Sequence, residues 1–200
     1  MLAQSHCVCS LRPDVSCNCA FLFLMYQGEV FKPSNTGRLI ADVVKDNHAF
    51  QWSRTEHDEQ LLALLAGERY APVVVFPHEY ADPARCIHSP SELHGVMEEG
   101  KPGNKKPLFI MLDGTWREAR KMFRSEYLAD LPVLGIQPQQ ASAYQLREAF
   151  HEHQLCTAEV GIEVLRLNDD EAAADALADY FHIFREHYLA TKANRGNPAQ

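Results

Sequence analysis

The run Leu112-Asp113-Gly114-Thr115-Trp116-Arg117-Glu118-Ala119-Arg120-Lys121 puts an acid at the end of an apolar stretch and then turns at once into a basic segment. Residues 107–112 read as a buried strand, Asp113-Gly114 as a tight turn, and Thr115 as the N-cap of a helix. A carboxylate at the C-terminal end of a strand, beside a helix N-terminus, stands where open α/β sheets collect ligands. Asp113 is thus either an acid that acts on a bound substrate or a turn residue that serves only the local cap. Arg117, Arg120, Lys121 and Arg124 recur at i, i+3, i+4 and i+7, which puts four cations on one helix face beside an apolar stripe of Trp116, Ala119, Phe123 and Tyr127. Only Glu118 and Glu126 lie near enough to offset the repulsion, so the face is either a polyanion site or simply a solvated one.

A second segment, Lys32-Pro33-Ser34-Asn35-Thr36-Gly37-Arg38-Leu39, gathers groups that suit phosphate or ribose where a loop enters a helix. Gly37 permits close backbone approach, Asn35 or Thr36 can cap, and Arg38 offers a bidentate fork. The segment fits neither a Walker loop nor a G-x-G-x-x-G fingerprint, and a plain capped helix start explains it equally. A third comprises Tyr144-Gln145-Leu146-Arg147 and Leu155-Cys156-Thr157-Ala158-Glu159, in which Thr157 can cap a helix starting near Ala158. Four of the six cysteines crowd near the N-terminus as Cys7-x-Cys9 and Cys17-x-Cys19. Four thiolates suit structural zinc, although single-residue gaps are tighter than usual and free thiols are the alternative. Cys86 and Cys156 read as small buried hydrophobes.

The elements that must position these groups follow from apolar periodicity. Strands are expected at 20–26, 72–77, 107–112 and 132–136, and helices from Thr36, over 56–65, from Ser89, from Thr115, and over 158–167 and 170–189. Continuous apolar strands separated by helices predict an α/β fold with a mainly parallel sheet covered on both faces. Two hundred residues with 46% apolar content suit one domain, read as 1–190 with a Cys-rich segment at 1–20 and a loose tail at 191–200. The net charge of −8 argues against a nonspecific polyanion coater and leaves room for a local basic cleft. No signal-peptide pattern or long apolar run appears, so a cytoplasmic protein that does not engage membranes is expected.

Together the Cys cluster, Lys32 to Leu39, Asp113-Gly114-Thr115-Trp116 and Cys156-Thr157-Ala158-Glu159 resemble the DTW-domain family of tRNA-uridine aminocarboxypropyltransferases, over nearly the whole chain. Ser10 stands where relatives carry the second Cys of a C-x-x-C pair, and Cys156 and Val160 replace a usual Ser and Ala. The resemblance implies a SPOUT-like fold with a C-terminal trefoil knot that binds S-adenosylmethionine. It also implies transfer of a 3-amino-3-carboxypropyl group to N3 of a uridine in tRNA. On that basis Asp113 is the catalytic residue, as the base or as the group that orients uracil. An ordinary Asp is a weak base for N3 unless an apolar wall such as Trp116 assists it. Gly114, Thr115, Trp116, Leu134, Leu155, Thr157 and Glu159 are expected at the cofactor, with Trp116 either stacking on a base or packing in the core. Asn35, Arg38, Arg117, Arg120, Lys121, Arg124 and Arg147, with the loop 101–106, are expected to face RNA. Cys7, Cys9, Cys17 and Cys19 are expected to hold the structural zinc, and a monomer is favoured. The alternatives are a SPOUT-type RNA methyltransferase and a noncatalytic RNA-binding module.

Overall fold

The computed structural model describes residues 2, 4–98, 105–136 and 155–195. Its frame is a six-stranded sheet made of β1 (Ala20–Met25), β2 (Asn47–Gln51), β3 (Tyr70–Val75), β4 (Cys86–Ile87), β5 (Lys106–Asp113) and β6 (Val133–Leu134). The spatial order is β2-β1-β5-β3-β6-β4 and every pairing is parallel. Among the described residues six α-helices accompany it: α1 (Gly37–Val43), α2 (Glu59–Ala66), α3 (Pro90–Glu98), α4 (Trp116–Phe123), α5 (Thr157–Leu167) and α6 (Glu171–Arg195).

Side chains alternate across the pleat, so each apolar strand feeds two cores. Phe21, Phe23, Phe109 and Met111 pack with Leu39, Ile40, Leu93, Ile162 and Tyr180 on one face, against α1, α3, α5 and α6. Leu22, Leu24, Leu108 and Ile110 pack with Leu61, Ala119, Met122 and Phe123 on the other, against α2 and α4. This two-sided burial is why β1, β3 and β5 are continuous apolar runs in the sequence. No described helix is long and apolar enough to cross a membrane.

Topology decides where the site lies. The chain leaves β1 toward β2 at one edge, then places β3 and β4 beyond the gap that β5 later fills. The loops after β1 and β3 therefore diverge, and β5 ends at the switch point between them, where open parallel sheets form their ligand crevice. Asp113 is the last residue of β5, paired with Met25 at the end of β1.

Two expectations change here, and one falls outside the described residues. The edge strand β2 and the two-residue β4 carry no apolar run that would mark them: β2 reads Asn-His-Ala-Phe-Gln and none of it is fully buried. The last helix continues to Arg195, five residues into the expected loose tail, since no helix breaker precedes Gly196 and the Thr191 hydroxyl donates to the His187 carbonyl at 2.9 Å. The segment following β6, where a C-terminal knot would thread, includes residues 137–154, which lie outside the described residues.

Phe109 sits at the centre of the middle strand with no exposed surface. Phe109→Ala is expected to destabilise the protein by about 3–5 kcal/mol in urea unfolding, as full truncation of a core aromatic does.

Candidate active site

The described parts of the three segments singled out in the sequence meet at the carboxylate of Asp113, a residue 5% exposed. Asn35 Nδ2 donates to Asp113 Oδ2 at 2.6 Å, and the Thr157 hydroxyl donates to Oδ1 at 3.2 Å. Asn35 is itself fixed by accepting the Gly37 N–H on Oδ1 at 2.9 Å and by donating to the Glu29 carbonyl at 3.3 Å. Thr36 accepts the Ala158 N–H at 3.1 Å, which ties the start of α5 to the start of α1. Space between them is tight: a Cβ at Gly37 would lie 3.1 Å from Asp113 Oδ2 and 3.2 Å from Asn35 Oδ1, so those side chains would have to shift. A Cβ at Gly161 would lie 2.5 Å from the buried Ile40, so the same close approach of α1 and α5 continues one turn further.

Around this carboxylate is a cleft of about 310 Å³ lined by Phe23, Met25, Ala41 and Ala49 with Asn35, Asn47, Arg38 and Asp113. A second cavity, of about 350 Å³, lies under the ends of β3, β4 and β6 and is lined by His78, His88, Leu93, Leu134, Gly135, Ile136 and Glu163. Helix α5 links the two, since Thr157 touches Asp113 and Glu163 lines the cavity six residues later, about 9 Å along the axis. The loop after β6 is fixed by His78, whose Nε2 accepts the Gly135 N–H at 2.8 Å. A Cβ at Gly135 would lie 2.7 Å from that ring.

Several residues take positions other than those expected. Asn35 is buried, donates to Asp113 and lines the cleft, so it offers no exposed contact for a phosphate. Arg38 spends one terminal nitrogen on the carbonyls of Val30 (3.3 Å) and Lys32 (2.9 Å), which ties the guanidinium to its own loop, while its buried Nε has no hydrogen-bond partner among the described residues. Thr157 is the first residue of α5 and Cys156 is the N-cap, so the Thr157 hydroxyl is spent on Asp113, not on capping. Glu159 accepts the Cys156 N–H at 2.8 Å and stabilises the start of its own helix. Trp116 packs against Phe76 and Tyr80 at centroid distances of 5.9 and 6.5 Å, and it is 41% exposed, so it forms no wall beside Asp113. Leu134 lines the larger cavity, whereas Gly114, Thr115 and Trp116 do not, and Leu155 is half-buried ahead of α5. Arg147 and residues 101–104 lie outside the described residues.

Thr115 caps α4 as its sequence indicates, in a reciprocal box: Thr115 N–H and hydroxyl both donate to Glu118 Oε2 at 2.7 Å. Partial burial raises the Glu118 pKa, but these bonds outweigh it and hold the carboxyl below its usual value. The four helix cations are all exposed, but they lean apart. Arg120 lies over the Tyr80 ring at 5.9 Å on one flank, and Lys121 over Tyr26 at 5.9 Å on the other.

The N-terminal segment docks through ordinary contacts. Val8 is buried, Arg12 pairs with Asp42 at 2.9 Å, and the Asn18 N–H donates to Asp170 at 2.9 Å. Cys7 and Cys9 are exposed neighbours, while Cys17 and the buried Cys19 form a separate pair. Hydrogen bonding with Cys17 together with burial pushes the Cys19 thiol up, and the same contact draws Cys17 down to about 7. The two pairs do not converge on one tetrahedron, so as arranged these residues do not fit a single zinc ion. Among the described residues only His78, Cys86 and His88 bring three ligand-type atoms within 4.8 Å of one another, and His78 Nε2 is already engaged by Gly135.

With this geometry in place, a comparison against protein families matches the DTW domain over residues 1–189, and the chain belongs to the DTW domain family. No solved structure matches it.

Sequence reasoning missed Phe23, Met25, Ala41 and Ala49 as cleft walls because apolar residues on a strand or helix look alike whether they line a cleft or a core. It missed His78, for which the only signal is a glycine directly after a short strand. The separate thiol pairs lead to a measurement: Cys7→Ser/Cys9→Ser should change unfolding free energy by no more than about 0.5 kcal/mol, as expected of exposed substitutions. A loss of several kcal/mol together with stoichiometric zinc in the parent protein would show that the four thiols close on a metal.

Proposed function

We propose that this DTW domain transfers a 3-amino-3-carboxypropyl group from S-adenosylmethionine to N3 of a uridine in tRNA, in a SPOUT-like fold. The observation that carries the reading is the convergence of three of the four family segments on one buried carboxylate at the sheet's switch point. When bound, S-adenosylmethionine supplies an activated sulfonium, so that a carbon–sulfur bond breaks as the bond to N3 forms and methylthioadenosine leaves.

The chain's own residues then have three tasks. Asp113 is held by Asn35 and Thr157 so that its carboxylate accepts the uracil N3–H in a fixed orientation and takes that proton as the bond forms. The cleft walls Phe23, Met25, Ala41 and Ala49 give a flat ring an apolar seat and exclude water from the reacting edge. The cavity of about 350 Å³ at Leu134, Gly135 and Ile136 is large enough for a small-molecule ligand and is the seat assigned to the cofactor. The exposed cations of α4, Arg117, Arg120, Lys121 and Arg124, hold RNA phosphates on an otherwise acidic body.

Purified protein, unmodified tRNA and S-adenosylmethionine, followed by nucleoside mass spectrometry, tests this directly. The expected product is aminocarboxypropyl-uridine, while a methylated uridine or no modified nucleoside would overturn the reading. Asp113→Asn preserves shape: its amide oxygen accepts from Asn35 and its NH2 turns to the Thr157 hydroxyl, which accepts. Turnover should fall on the order of 10²–10⁴-fold with tRNA affinity retained, because the lost interaction acts on the transferring proton. Turnover within about threefold of the parent would show that the carboxylate does not act on that proton.

A further inference from the structure

We propose that the groove between α4 and the loop after β2, lined by Tyr26, Trp52, Arg54, His57, Lys121 and Arg124, binds unpaired RNA nucleotides next to the target by stacking. This rests on the reading of the protein as a tRNA-modifying enzyme and extends it to a surface that the family segments do not include.

The groove has a volume of about 740 Å³. Tyr26 and Trp52 form its floor, stacked at a centroid distance of 5.5 Å and 22° between ring planes, each half-buried. The Trp52 indole N–H donates to the Ser125 hydroxyl at 2.9 Å, which locks the ring to the end of α4. A fixed, partly exposed aromatic pair is a platform on which a nucleobase can stack without first ordering the side chains, and such stacking tolerates any base. Cations surround the floor: Lys121 stands over Tyr26, and Arg54 and Arg124 are exposed on the rim. None of these three is ion-paired with a described residue, and Glu126 is the one acidic side chain in the lining. In a chain of net charge −8 this is a rim with three cations and one acid among its described residues around an aromatic floor, the combination that suits single-stranded nucleic acid.

Position links the groove to the reaction. The Tyr26 N–H donates to the Asp113 carbonyl at 2.9 Å, and the Trp52 N–H donates to the Met25 carbonyl at 2.8 Å. The platform is therefore built on the same strand ends as the carboxylate, but on the opposite face of the sheet, the face carrying α4. An RNA strand that crosses this edge places one nucleotide at Asp113 while its neighbours lie on Trp52 and Tyr26. Lys121 and Arg124 then have a defined task, holding phosphates that flank the stacked bases.

The experiment is equilibrium binding of a fluorescently labelled, unmodified tRNA transcript to the full chain without S-adenosylmethionine, over a salt series. Trp52→Leu should weaken binding about 5- to 150-fold, the range for one lost base stack, and leave the salt slope unchanged. Trp52→Phe keeps a ring and should retain most of the affinity. Arg54→Ala, an exposed change with no fold consequence, should weaken binding and lower the salt slope by about one unit. Binding of Trp52→Leu within twofold of the parent, or equal loss in Trp52→Leu and Trp52→Phe, would overturn the platform. So would a fully paired RNA duplex that competes as well as the transcript. If Trp52→Leu does not fold, the Arg54→Ala slope and the duplex competition decide the matter alone. Failure of the functional reading shows elsewhere, as absence of aminocarboxypropyl-uridine from a parent protein that still binds tRNA through this groove.

Discussion

A buried carboxylate is costly to remove from water, and the cost is offset only where donors are fixed around it. Asp113 meets this condition with donors from two distant parts of the chain, Asn35 at a separation of 78 residues and Thr157 at 44. The rest of the site follows from satisfying that one group. Asn35 must be held, so the loop after β1 folds back on Glu29 and Gly37; Thr157 must reach, so α5 starts against α1 through the Thr36 to Ala158 bond. Glycine at 37 and 161 permits the close approach that both bonds need.

The sheet divides labour between its faces. Residues of one parity on β1 and β5 end in the Asp113 cleft and, through α5, reach the cavity at the end of β6; those of the other parity bury α2 and α4 and leave the cations of α4 outside. The Asp113 cleft and the basic, aromatic groove thus share one edge without sharing lining side chains.

What the sequence made legible was what local chemistry determines. β1, β3 and β5 are continuous apolar runs because both faces are covered, and the Thr115 cap is written in its spacing to Glu118. β2 stayed hidden because an edge strand buries too little to carry a pattern. Thr157 read as a cap because a hydroxyl next to Ala158 and Glu159 looks the same whether it serves the helix behind it or a carboxylate 44 residues earlier. Asn35 and Arg38 read as phosphate ligands for the same reason: their partners, Asp113 and the carbonyls of Val30 and Lys32, are chosen by the fold, not by spacing. The Tyr26–Trp52 pair joins residues on neighbouring strand ends and has no signature at all in the chain order.

The central claim is that Asp113 and Asn35 form one energetic unit that organises the site. A double-mutant cycle of unfolding free energies, with Asp113→Ala, Asn35→Ala and the double variant, measures it most directly. A coupling of about 1 kcal/mol or more is expected, as for a buried hydrogen bond to a charged group. Additivity within about 0.3 kcal/mol would contradict it, because independent residues give no coupling.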